Sequence, residues 1–121
     1  MYKRQFPLIP GPQLVADNVA GAAMVVGPTL ALDVAGIRAL DTAHVTLTID
    51  DEEVASGRGE DALGHPLEVL SWLAGHAAQR GTPLRSGDLV ITGTCTGLVP
   101  ARPGAHHVGR VANTDVTLAV S

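Results

Sequence analysis

What most constrains this chain is a single, sharply bounded helix in a sequence otherwise patterned as short strands. Gly64-His65-Pro66 opens it, because proline is favoured at the first helical position, where its missing N–H would have no partner anyway. Leu67, Leu70, Leu73, Ala74 and Ala77 follow at spacings of 3, 3, 1 and 3, an apolar stripe of helical period. Gln79 and Arg80 stand in the last turn, where a cation suits the helix dipole. Gly81 offers a left-handed stop, and Pro83 prevents resumption. The spacing predicts a helix over about 66–80. A lone amphipathic helix must bury its stripe against something, and the rest of the chain offers a sheet.

The strand signals lie on both sides of it. His44 to Ile49 (HVTLTI) alternates and is rich in β-branched residues, which places Val45, Leu47 and Ile49 on one face. Asp50-Asp51-Glu52 reads as a turn, Glu53 to Ser56 as the returning arm of a hairpin, and Gly57 and Gly59 as its end. Ala20 to Val26 is a short apolar run ended by Gly27-Pro28, which predicts a buried strand. Leu30 to Leu40 reads as a loop with one turn that Asp33 could cap. Residues 84–88 read as a turn, and Leu89 to Thr92 (LVIT), continuous and apolar, as a central strand. Gly93 to Pro103 is a loop. Val108 to Ala112 and Val116 to Val120 form a last hairpin about residues 113–115. The class is therefore α+β, mainly β, with one covering helix.

Length and charge bound the function. At 121 residues the chain holds one domain at most. A net charge of −4 argues against nucleic acid and against an anionic membrane surface as partners. No apolar run approaches the roughly 18 residues that a membrane-spanning helix needs. The single cysteine, Cys95, excludes an internal disulfide and points to a reducing cytoplasm. Residues 1–13 read as a leader or loop, with three prolines between Phe6 and Gln13. Met1-Tyr2-Lys3-Arg4-Gln5 matches what a GTG start followed by TATAAGAGACAG would encode, the end of a transposon-based sequencing adapter. It is read as an assembly scar, with natural coding sequence continuing upstream. Lys3, the only lysine, lies within it.

Few residue clusters carry chemistry. The run Asp50-Asp51-Glu52-Glu53 offers oxygens to a hard cation, but a hairpin tip solvates such residues without help. His106 and His107 are adjacent, so on a strand they point to opposite faces and cannot share a metal. His65 precedes the helix and reads as its cap or as packing. His44 and His76 have no evident partner. Cys95 lacks a histidine or asparagine at a recognisable spacing for a catalytic dyad. Gly57-x-Gly59 is not a dinucleotide fingerprint, since no βαβ unit surrounds it. The loop Thr92-Gly93-Thr94-Cys95-Thr96-Gly97 is the best candidate. Its glycines let backbone N–H groups approach an anion, with three hydroxyls alongside, so it could hold a carboxylate. A plain connection is the other reading.

Glu52 to Ala74 (EEVASGRGEDALGHPLEVLSWLA) together with Gly81 to Thr94 (GTPLRSGDLVITGT) resembles the C-terminal half of the fumarylacetoacetase-like superfamily. Within it, the likeness is to the 2-oxo-acid hydratase/decarboxylase branch, with its 2-hydroxypentadienoate hydratases and 2-oxo-3-hexenedioate decarboxylases of aromatic meta-cleavage catabolism. Val15-Ala16-Asp17-Asn18 and Gly27 also fall where the family has them, and the likeness covers about residues 14–104.

This resemblance implies a mixed β-roll, here incomplete, with residues 14–121 as the C-terminal part of a catalytic domain. It implies a cytoplasmic lyase, a homo-oligomer when full length, that acts on a small-molecule 2-oxo acid with Mg²⁺ or Mn²⁺. The family's metal carboxylates, a Glu-x-Glu pair and a further Glu, lie upstream of the Asp-Asn corner, as does its catalytic lysine. This chain has no Glu-x-Glu and no lysine beyond Lys3, so no catalytic or metal residue is assigned in it. Where the family often has Ser two residues after the Asn, Ala20 stands. What the resemblance assigns to substrate binding is Asp17, Asn18, Gly93 and Thr94. The loop Thr94 to Pro100 leans to the decarboxylase side. A catalytically inactive remnant acting as a binding or oligomerisation module is the alternative.

Overall fold

A computed structural model describes Pro12 and residues 23–121. The elements run in the order α1 (Val34–Arg38), β1 (His44–Ile49), β2 (Glu52–Arg58), a 3₁₀ turn (Gly59–Asp61), α2 (Pro66–Gln79), β3 (His106–Val111) and β4 (Thr114–Ala119). The strands form one four-stranded sheet in the order β2-β1-β3-β4, with every pairing antiparallel. One long helix over one sheet is the α+β architecture that the residue pattern predicts.

Local chemistry explains most of these elements. The β1–β2 hairpin turns on two residues, Asp50 and Asp51, with φ of 49° and 67°, a left-handed pair that aspartate tolerates. Ile49 then faces Glu52, and the register slips once between Leu47 and Thr48, where β2 carries a bulge. Asp50 also ties the hairpin tip to β3. Its carboxylate accepts from His106 N–H at 2.9 Å, and its own N–H donates to the His106 carbonyl at 2.9 Å. On the far side, Arg110 and Asp115 face each other across β3 and β4 in a two-pronged ion pair at 2.5 and 2.7 Å. The guanidinium holds the Asp115 carboxyl below the usual carboxylate range.

Helix α2 has a closed cap at each end. His65 Nδ1 accepts from Leu67 N–H at 3.1 Å, and its Nε2 lies 3.2 Å from the Arg38 carbonyl. The first bond fixes the proton on Nε2, so one imidazole starts α2 and ties it to the end of α1. At the other end, Thr82 N–H donates to the Ala77 carbonyl at 2.9 Å and Gly81 N–H to Ala78 at 3.0 Å, with Gly81 at φ 76°. This is the Schellman pattern, which needs a left-handed residue and finds glycine. Asp33 caps α1 by accepting from Gly36 N–H at 2.7 Å.

The core is small. Ile49 is fully enclosed, and Ala62, Ala105 and His107 are nearly so. No residue of α2 is buried, so the helix stands over the sheet and does not pack down onto it. His107 Nε2 accepts from Arg102 N–H at 3.2 Å, while its enclosed Nδ1 has no partner among the described residues. His106, its neighbour, is exposed, as strand alternation requires.

Two expected strands are corrections. Among the described residues Leu89–Thr92 makes no ladder bonds, and Leu89 and Ile91 are 64 % and 67 % exposed, whereas Val90 and Thr92 are half-buried. The two-residue alternation of an extended chain is present, but the sheet β2-β1-β3-β4 does not reach it, and a central strand needs a neighbour on each side. Residues 23–26, the end of the strand expected over Ala20–Val26, are irregular, with Met24, Val25 and Val26 exposed. Residues 20–22 lie outside the described part. The segment meets β4 by packing alone: a Cβ on Gly27 would come within 2.9 Å of Val116 Cβ. No described helix is long and apolar enough to cross a membrane.

Candidate functional site

The space beneath α2 is a cleft of about 600 Å³. Pro66, Leu67 and Leu70 of α2 form one wall and Val45 of β1 and Val111 of β3 the floor. Val45 and Val111 are register partners and share a face of the sheet. The loop from Val90 to Thr96 forms the opposite wall, with Gly93 and Thr94 in the lining. Two of the four residues expected to bind substrate are thus in the cleft. The other two, Asp17 and Asn18, lie outside the described residues.

Two glycines of β2 and its end hold this wall in place. A Cβ at Gly57 would overlap the Cys95 carbonyl oxygen, and one at Gly59 would overlap the Leu40 carbonyl oxygen. Any side chain at either position would push a backbone segment away. The Leu40 side is also fastened by hydrogen bonds, Gly59 N–H to Ala43 at 3.0 Å and Glu60 N–H to Asp41 at 2.7 Å. Gly57 and Gly59 therefore act as seats for two loops, a role that goes beyond ending a strand. The signal was present in their spacing. Residues two apart on a strand share a face, and a face without side chains admits backbone.

The loop itself is ordered by its own groups. Gly93 has φ 135°, a conformation open to glycine and strained for other residues, and sits against Ala62. Thr94 Oγ1 donates to the Gly97 carbonyl at 2.9 Å, which closes the turn and leaves the hydroxyl lone pairs free to accept. Cys95 is half-buried. Burial, then the nearby Asp61 carboxylate, raises its thiol above the usual range, against a hydrogen bond from the backbone of Ala62. A thiol held in its neutral form is a poor nucleophile. Asp61 is fixed by Arg58 N–H, which donates to its Oδ2 at 2.7 Å. Sequence reasoning passed over Asp61, since nothing in its local pattern places it beside Cys95.

Among the described residues, no group of three or more His, Cys, Asp or Glu side chains is placed to hold a metal ion. The acidic hairpin at 50–53 spends Asp50 on His106 N–H and Glu52 on Arg102, whose Nη1 donates at 3.4 Å. His44, His65, His76 and His106 are likewise not gathered at the cleft. His76 stacks on Trp72 with ring centroids 4.9 Å apart, on the outside of α2.

Comparison with known proteins agrees with this outline. The family described as Fumarylacetoacetate (FAA) hydrolase C-terminal matches residues 3–118. This chain belongs to that family. It is 36% identical over 99 residues to a 2-keto-4-pentenoate hydratase of Paraburkholderia phymatum, a match covering 80% of this chain and 36% of the relative. It is 35% identical over 91 residues to a 4-oxalocrotonate decarboxylase of Pseudomonas sp. strain CF600, covering 75% and 34%. Among solved structures, 4-oxalocrotonate decarboxylase from Pseudomonas putida G7 in complex with calcium and acetate superposes with a TM-score of 0.62 at 32% identity, covering 68% of this chain and 32% of that one. The same protein is also known with magnesium and adipate. The chain thus spans about a third of the length of the relatives it matches.

Proposed function

We propose that this chain is the C-terminal part, residues 14–121, of a metal-dependent cytoplasmic lyase acting on small 2-oxo or 2-hydroxy-dienoic acids of aromatic catabolism. The reaction is hydration of 2-hydroxypenta-2,4-dienoate or decarboxylation of 2-oxo-3-hexenedioate. The observation that carries this reading is the cleft under α2 with the Gly93–Gly97 loop as its polar wall. The relatives, named hydratases and decarboxylases at about equal identity, support the reaction class and leave the choice between the two open. In this reading the backbone N–H groups about Gly93 and Thr94 donate to the substrate's carboxylate or 2-oxo oxygen, while the Thr94 hydroxyl, its proton given to the Gly97 carbonyl, holds the loop ready. Asp17 and Asn18 complete the same pocket, and the full-length protein is a homo-oligomer.

A divalent ion, Mg²⁺ or Mn²⁺, belongs to the proposal for the whole protein. The described residues do not provide its ligands. The chemistry assigned to them is therefore limited to binding, orientation and exclusion of water. The test is direct. With Mg²⁺ present, the 121-residue chain should show no hydratase or decarboxylase turnover, yet titration with 2-oxopentanoate should move the NMR resonances of Gly93 and Thr94. Metal-dependent turnover by the pure chain would overturn the division of labour. Silence at Gly93 and Thr94 up to high millimolar ligand would overturn the site.

A second reading, an inactive module for binding or oligomerisation, is favoured by one observation: Met24, Val26, Leu89 and Ile91 are exposed, while among the described residues the buried apolar side chains are Ile49, Ala62 and Ala105. Self-association without any response to 2-oxo acids would favour it.

A further inference from the structure

The outer side of α2 carries one continuous ridge. Glu68, Trp72, His76 and Arg80 follow at intervals of four, the spacing that sets helical side chains one above the other. The ridge is fixed in its middle. The Trp72 and His76 rings stack at 4.9 Å with 10° between their planes, and Arg80 Nη1 lies 3.4 Å from His76 Nε2. Trp72 is nonetheless 65 % exposed. An aromatic pair already held in place has little side-chain freedom left to lose on binding, and tryptophan and arginine are enriched among the anchors of protein contacts. Beside the ridge, Ser71 and Gly75 leave a hollow, since both are exposed and a Cβ on Gly75 would meet nothing within 4 Å. This side of α2 is turned away from the cleft.

The charges at the two ends of the ridge say what fits it. Glu68 stands in the first turn and Arg80 at the C-cap, about 18 Å apart along the axis. Each suits the dipole at its own end, and among the described residues neither pairs with an opposite charge. A second α2 laid antiparallel on the first brings each Glu68 to the Arg80 of the other copy. One twofold axis at the level of Ala74 does this, and the same axis sets each Trp72 against the other copy's His76, because both pairs are centred on that residue. Each ridge then settles beside the other, over the Ser71–Gly75 hollow, as rows of side chains four apart do between packed helices. A partner surface of one charge would leave one end of the ridge unanswered. We infer that the outer face of α2 is a self-complementary contact between two copies of this chain, with Trp72 at its centre and Glu68 and Arg80 as reciprocal ion pairs. The face of one 14-residue helix buries less than the roughly 1,200 Å² of a stable complex, so the dimer is weak, half-formed at roughly hundreds of micromolar. The contact does not depend on what the cleft binds.

The test uses the full chain with Leu89→Lys and Ile91→Lys, which removes the other exposed apolar segment as a route to association. Trp72 is the only tryptophan, so its emission reports on the contact directly. As concentration rises, the emission should move to the blue, and sedimentation should show a monomer–dimer equilibrium that weakens with added salt. Glu68→Arg and Arg80→Glu should each lower dimerisation at least about tenfold, because like charges then meet at both ends. An equimolar mixture of the two variants should associate again, since each carries the charge that the other has lost. A mixture that stays monomeric while the unswapped chain dimerises would refute the reciprocal pairing. Dimers that form without moving the Trp72 emission would place the contact elsewhere. Emission already blue at the lowest concentration would mean that another segment of the same chain covers Trp72, and would overturn the proposal.

Discussion

Single residues decide whether the cleft has a wall at all. Gly57 meets the Cys95 carbonyl so closely that one methyl group must displace the loop carrying Gly93 and Thr94. Gly57→Ala should therefore destabilise the fold at the upper end of the roughly 1–3 kcal/mol typical of overpacking, read as a fall in the urea midpoint. It should also weaken any ligand response at Thr94. A midpoint unchanged from the parent would mean that the loop is not seated on Gly57. Asp61 acts electrostatically on the same loop. Its carboxylate helps to raise the Cys95 thiol, so Asp61→Asn removes one of the two causes and the thiol pKa falls. More thiolate is then present at a given pH. The pH profile of Cys95 alkylation should shift to lower pH, with asparagine's carbonyl still able to accept from Arg58 N–H. A shift upward, or none, would remove Asp61 from the thiol's surroundings.

At the scale of elements, glycine has opposite values in two places. Gly75 lies inside α2, exposed, and a methyl group there would meet nothing within 4 Å. Gly75→Ala should stabilise the helix by about 1 kcal/mol and raise the melting temperature of the chain, the reverse of Gly57→Ala. Elements of this kind were legible because their causes are local. Pro66, the Leu67–Leu70–Leu73 stripe and Gly81 specify α2 within 16 residues of sequence, and β1 follows from the alternation in HVTLTI. The cap on α1 by Asp33 was equally readable. Leu89–Thr92 was not, because its apolar run says only that it can be extended; pairing depends on which strand edge arrives beside it. The site divides along the same line. The Gly93–Thr94 loop declared itself by its own glycine and hydroxyls. The contact of Gly57 with Cys95 joins residues 38 apart, and no local pattern encodes it.

For the whole molecule, the decisive quantity is apolar surface left in water. Leu89 and Ile91 are 64 % and 67 % exposed on an extended segment that makes no ladder bonds among the described residues, and Met24, Val26 and Leu98 are exposed elsewhere. An exposed extended segment with alternate apolar residues presents both free backbone groups and hydrocarbon, the two requirements for edge-to-edge pairing. Among the described residues only Ile49 is fully enclosed, so the interior contributes little to oppose such pairing. The chain should therefore associate as its concentration rises, and its melting temperature should rise with it. Charge on the same segment is the means to prevent this. Leu89→Lys with Ile91→Lys touches neither Val90 nor Thr92, the half-buried residues between and beside them, and should hold the chain monomeric at concentrations where the parent associates. Sedimentation velocity over a tenfold concentration range measures the difference. A parent chain that sediments as a monomer throughout, with a sharp melt independent of concentration, would show that this surface is tolerated in water.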